Sequence, residues 1–98
     1  MRFGIFIMPI HAPEKSFQET LETDLKTVVL ADSLGVSEGW IGEHYTIKWE
    51  PIPAPDLFIA KAFGMTDRIK LGTGVVLLQL HDPIMLAHRM AMLDHLGQ

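Results

Sequence analysis

Three short apolar runs, each followed by a longer stretch with helical spacing, constrain this chain more than any other feature. The first, RFGIFIMPI at 2–10, is almost continuously apolar and closes on proline. Continuous rather than alternating apolarity suits a strand buried on both faces, as in a parallel sheet. After the loop HAPEK, residues 16–35 carry Phe17, Leu21, Leu25, Val28 and Val29 at helical spacing. Ser16 and Glu19 have the form of a capping box, in which each satisfies a free amide at the helix start. Gly35 suits the left-handed position just past the helix end.

The rhythm then repeats. SEGWIG at 37–42 predicts a second strand, EHYTIKWEPIPAP at 43–55 a long loop, and APDLFIAKAFGMT at 54–66 a second helix with Pro55 in its first turn. RIKLGTGVVLLQL at 68–80 predicts a third strand, rich in β-branched residues at its centre. HDPIMLAHRMAMLDHLG at 81–97 predicts a third helix, with Asp82 as N-cap, Pro83 in the first helical position and Gly97 at its end. A βαβαβα series means an α/β fold with a parallel sheet. Two architectures fit: a doubly wound sheet, or the first part of a (β/α)8 barrel. A barrel takes about 250 residues, so 1–98 are expected to be a single partial domain.

Composition removes several classes. With 48% hydrophobic residues and a net charge of −4, the chain should fold rather than stay disordered. The eight basic residues are scattered singly, which argues against a nucleic-acid surface. With no cysteine, disulfides and thiolate chemistry are excluded, and a cytoplasmic setting is compatible. No run reaches the roughly 18 apolar residues of a membrane span, and the apolar start has no signal-peptide cleavage site.

In parallel α/β folds, chemistry gathers at the carboxyl ends of strands. His11 follows the first strand, Glu43 and His44 the second, and His81 and Asp82 the third, so all should face one rim. His44 can exchange a proton near neutrality, and Glu43 could tune it or hold the loop in place. Neighbours on an extended segment point to opposite faces, so a direct Glu43–His44 pair does not follow. A histidine that only binds loop carbonyls remains the alternative. His88 and His95 read as surface or packing residues. The spacings expected of a metal site are missing, and none is assigned. LGTGVV lacks both the full dinucleotide pattern and the phosphate-loop Lys-Ser/Thr. Gly72 and Gly74 there mean either close approach by a flat ligand, an unusual backbone, or simple crowding inside a barrel.

Four segments together resemble the bacterial luciferase-like flavin-dependent monooxygenases: MRFGIFIMP, WIGEHY, KLGTGVVLL and HDPIMLAHRMAMLDHLGQ. The resemblance runs through the whole sequence in order. It implies a (β/α)8 barrel that binds FMN, or in some branches the deazaflavin F420, at the carboxyl rim. It implies His44 as an acid/base near the flavin with Glu43 beside it. Gly74–Val75 would be a non-proline cis peptide against the flavin ring, with Gly72 and Thr73 completing that cofactor wall. Met8, His11 and Tyr45 would line the substrate pocket. Tyr45 stands where luciferases proper have a second histidine, which departs from the light-emitting branch. The chemistry implied is oxygenation of a small organic substrate by reduced FMN (FMNH2) and O2. A separate flavin reductase and a homo-oligomeric assembly are the implied partners. Residues 1–98 supply none of the late barrel loops that commonly hold phosphate, so alone they should have little or no oxygenase activity. A non-catalytic flavin-binding or self-assembling fragment, and an F420-dependent oxidoreductase, are the alternatives.

Overall fold

The computed structural model describes residues 1–97. Three strands, β1 (Gly4–Ile7), β2 (Glu38–Ile41) and β3 (Lys70–Thr73), form one parallel sheet in the order β1-β2-β3. They alternate with helices α1 (Phe17–Ser33), α2 (Pro55–Phe63) and α3 (Pro83–Leu96). The α/β series is the one expected. No helix among the described residues is long and apolar enough to cross a membrane.

Local chemistry explains the element ends. Ser16 and Glu19 form both halves of the capping box at the start of α1. Beyond the C-cap Leu34, Gly35 turns the chain at φ +80°, a region open to residues without a Cβ. Pro55 and Pro83 open α2 and α3, where no amide is needed, and Asp82 caps α3 by accepting from the Ile84 and Met85 amides.

Strand register divides the sheet into two unlike faces. Ile5, Ile7, Gly39, Ile41 and Leu71 alternate onto one face, where Ile7 and Ile41 join Leu25, Val28, Ala31, Phe58, Ile59, Ala62 and Ile69 in a single core. Phe6 and Trp40 are register partners on the other face, and Gly72 pairs with Trp40. Among the described residues, no helix covers that face. Phe6 is 58% exposed and Trp40 44%. The apolar run of strand one is therefore buried on one side only.

The third strand is shorter than expected. Valine and leucine continue to position 80, but pairing stops at Thr73, with the Gly74 amide giving a last bond to the Ile41 carbonyl. The Gly74–Val75 peptide is cis, and a single 3-10 turn at Leu78–Leu80 leads into α3. Strand propensity in 75–80 is overridden by side-chain partners from elsewhere, described below.

Asp32, in the last turn of α1, ties the start of β3 to the core. Its carboxylate accepts from three consecutive amides, those of Asp67 (3.1 Å), Arg68 (3.0 Å) and Ile69 (2.7 Å). The Asp67 bond leads in holding its pKa below the ordinary range; burial opposes this, and the Ile69 and Arg68 bonds reinforce it. A negative charge at a helix C-terminus is unfavourable, and the Arg68 guanidinium compensates by binding the Asp32 carbonyl at 2.9 Å.

Candidate active site

The carboxyl ends of β1 and β2 and the segment after β3 meet at one rim, as parallel strands require. Glu43, two residues past β2, is 3% exposed. Three donors converge on its carboxylate at 2.5 Å: the Tyr45 hydroxyl, the Leu77 amide and the His81 Nε2. Burial pushes the Glu43 pKa up, but these bonds outweigh it and hold the group below its ordinary value. The bond to Glu43 in turn leads in raising the Tyr45 phenol. Glu43 thus links the loop after β2 to the segment after β3, and the Leu77 bond is what turns that segment away from strand geometry. A cavity of about 90 Å³ adjoins the cluster, with Arg89 of α3 bound to Asp56 of α2 beside it.

His44 faces elsewhere, as the alternation of an extended segment requires. Its backbone amide binds the Ile52 carbonyl at 3.0 Å. Its Nδ1 lies 3.0 Å from the Glu50 carboxylate. Its Nε2 is buried and has no hydrogen-bond partner among the described residues. The ring lies over Gly42, where a Cβ would stand 2.9 Å from Nε2. A buried, unpaired ring nitrogen costs about 1–3 kcal/mol, a cost that a ligand group would relieve.

The other expected residues divide. Met8 stands 43% exposed just beyond β1. His11 is drawn away from the Glu43 cluster onto Asp24 of α1 at 2.9 Å, while its amide binds the Trp49 carbonyl at 2.8 Å. Tyr45 is committed through its hydroxyl to Glu43. Gly72 and Gly74 are crowded by the open aromatic face: a Cβ on Gly72 would stand 2.9 Å from the Trp40 ring, and one on Gly74 2.8 Å from the Phe6 ring. Thr73 pairs with Ile41 and so alternates toward the helix-covered side, whereas Val75 is 61% exposed. His88 and His95 are exposed on α3.

Sequence reasoning missed Glu50 and Asp24. Both are acids whose partners lie across a loop or on another element, and nothing in their local spacing marks them. The proline-rich character of 51–55 was the one available sign that the loop folds back rigidly on itself.

Comparison with known proteins places this geometry. The chain is 45% identical over 94 residues to the 4-hydroxyprotoasukamycin monooxygenase of Streptomyces nodosus subsp. asukaensis. It is 41% identical over 96 residues to the limonene 1,2-monooxygenase of Rhodococcus erythropolis. These alignments cover 96% and 98% of the chain but 25% of each relative. Among solved structures, the oxygenating constituent of 3,6-diketocamphane monooxygenase from Pseudomonas putida, in complex with FMN, superposes with a TM-score of 0.93 at 34% identity. That match takes in 99% of this chain and 27% of the other. The chain thus spans about a quarter of the length of the relatives it matches. The family model for luciferase-like monooxygenases matches residues 1–98, and the chain belongs to that family.

Proposed function

We propose that this chain forms the first wall of a (β/α)8 barrel that oxygenates a small organic substrate with reduced FMN and O2. The observation that carries the reading is the buried, unpartnered Nε2 of His44 at the carboxyl end of β2. The open face of Phe6 and Trp40 supports it, because half-exposed aromatics on a sheet face are what a completed barrel would cover. The unpaired edge of β3 points the same way. A hollow of about 620 Å³ runs along it between Ile69–Thr73 and Leu93 and Leu96 of α3, and a following strand would fill it.

The residues present fit a flavin. Gly72 and Gly74 leave room for the Trp40 and Phe6 rings to pack on the strand, and a planar ring would lie against those half-exposed aromatics. Gly72, Gly74 and Val75 would lie along that ring, with Thr73 behind them and Met8 toward the substrate. The relative solved with FMN favours FMN over a deazaflavin. Bound and reduced, FMN supplies the electrons that reduce O2, one oxygen atom entering the substrate and the other leaving as water. In this reading His44 takes or returns a proton at Nε2. Glu43 holds the two rim segments in register through Tyr45, Leu77 and His81, and the apolar face excludes water.

A flavin-dependent relative from Acinetobacter baylyi is named as an oxygenase component, which supports a separate reductase as partner. The exposed Ile84, Met85 and Met92 on α3 support assembly with a second copy. A cytoplasmic setting fits a reaction fed with reduced cofactor.

The test is substrate-dependent O2 uptake by the protein as its own gene encodes it, supplied with a flavin reductase, NADH and FMN. Cyclic ketones and terpenes come first in the screen. Uptake that falls about a hundredfold in His44→Ala is expected. Uptake unaffected by His44→Ala would remove the proton role from His44.

A further inference from the structure

We infer that Glu50 is a positioning residue that fixes His44 in the Nδ1–H tautomer, so that Nε2 is the free acceptor at the site. The inference rests on the reading of His44 as the proton-handling group. Two observations carry it. The Glu50 carboxylate oxygen lies 3.0 Å from Nδ1, and Nε2 of the same ring is buried with no partner among the described residues.

An ionised carboxylate only accepts hydrogen bonds. At 3.0 Å, a bare Nδ1 would set its lone pair against those of the carboxylate. The proton of the neutral ring therefore belongs on Nδ1, and the Nε2 lone pair is left for the site.

The geometry is held from both sides of the loop. The His44 amide binds the Ile52 carbonyl, and the Glu50 amide binds the Ile47 carbonyl at 3.3 Å. The neighbouring Trp49 carbonyl is tied to the His11 amide. Pro51 follows Glu50 directly, limiting the backbone there. The Glu50 side chain is 11% exposed, and His44 is its one side-chain partner among the described residues. An acid so enclosed, directly after the exposed residues 45–49, is placed for its effect on the ring.

The chemical consequence is a division of labour between two acids of one loop. Glu43 binds Tyr45, Leu77 and His81 and touches no atom of the His44 ring among the described contacts. Glu50, seven residues after Glu43 in the same loop, orients the imidazole. A solvent-exposed neutral imidazole prefers the opposite tautomer, with its proton on Nε2. Without Glu50 the ring would present a donor where the wild type presents an acceptor.

The experiment is long-range proton–nitrogen NMR on the protein as its own gene encodes it, labelled with 15N-histidine, alongside turnover with reduced FMN. The wild type should show a protonated Nδ1 and a bare Nε2 for the neutral His44 ring. Glu50→Ala should move the proton to Nε2 and lower kcat at least about tenfold, with KM for the substrate changed less than about threefold. The same substitution in a His44→Ala background should lower kcat no further, since the two residues act as one unit. If Glu50→Ala fails to fold, Glu50→Met keeps the length of the side chain without its acceptor oxygens and is read the same way.

A His44 tautomer unchanged by either variant overturns the inference, whatever happens to turnover. So does a wild-type ring with its proton on Nε2. Failure of the underlying reading looks different: His44→Ala would keep full turnover while Glu50→Ala still switched the tautomer.

Discussion

Replacing Glu43 with leucine separates a brace from a chemical group. The substitution keeps the side-chain volume close to native and removes both acceptor oxygens. Three donors then lose their partner, but not equally. The Leu77 amide is fixed by the backbone and cannot turn away. Tyr45 is 37% exposed, and its hydroxyl can rotate to water. The His81 side chain is 17% exposed and recovers part of its hydration. An unsatisfied buried amide costs about 1–3 kcal/mol, and bonds to charged groups lie at the upper end. Burying the added apolar surface returns about 1 kcal/mol. The net loss should be about 2–3 kcal/mol, most of it local to Leu77. Hydrogen exchange is the direct assay, because that loss opens the Leu77 amide about thirty- to a hundred-and-fiftyfold faster. Urea unfolding should move in the same direction. A Leu77 amide as protected as in the wild type, together with lost turnover, would refute the bracing argument and make Glu43 a participant in the chemistry.

Three further outcomes follow from the same geometry. Glu43 and Asp32 both have folded pKa values below their ordinary ones. Their contribution to stability is therefore complete above the ordinary carboxylate range and is lost as pH falls through the depressed values. Acid titration of unfolding should show the gap between wild type and Glu43→Leu closing across that window, with fewer protons taken up on unfolding by the variant. Gly42→Ala places a Cβ 2.9 Å from His44 Nε2, so the ring must swing off Glu50. Turnover should fall about tenfold or more while the thermal midpoint moves little, because the flexible end of a side chain gives way. Thr46 holds φ at +60°, a region costly for a β-branched residue. Thr46→Asn should stabilise the fold by about 1 kcal/mol, measured by the urea midpoint.

The helices were legible because their signals are local. Ser16 with Glu19, and Asp82 with Pro83, name their helix starts within four residues. The strands were legible in position but not in length. Residues 75–80 have the composition of a strand, and the distant Glu43 carboxylate, through the Leu77 amide, draws them out of it. The rim was legible for a topological reason, since parallel strands bring their carboxyl ends together wherever the residues lie. What each rim residue binds was not. His11 goes to Asp24 thirteen positions away, His81 to Glu43 thirty-eight away, and His44 to an acid in its own loop. Pairings of that kind depend on side-chain direction, which neither composition nor period encodes. The two unlike faces of the sheet also escaped reading, because a continuously apolar run does not tell which of its faces is covered.

The three amides on Asp32 bear on an error the chain could otherwise make. Short parallel strands have few bonds with which to select one alignment over the next, and a slip of a single position reverses every side chain. For β3 such a slip would turn Leu71 out among Phe6 and Trp40 and press Gly72 into the core, leaving an unfilled space there. Asp67, Arg68 and Ile69 can all reach one carboxylate only when Lys70 lies opposite Glu38. Helix α1 thus acts as a ruler whose final mark is Asp32. The alignment of the third strand is decided by a residue that belongs to neither strand of the pair.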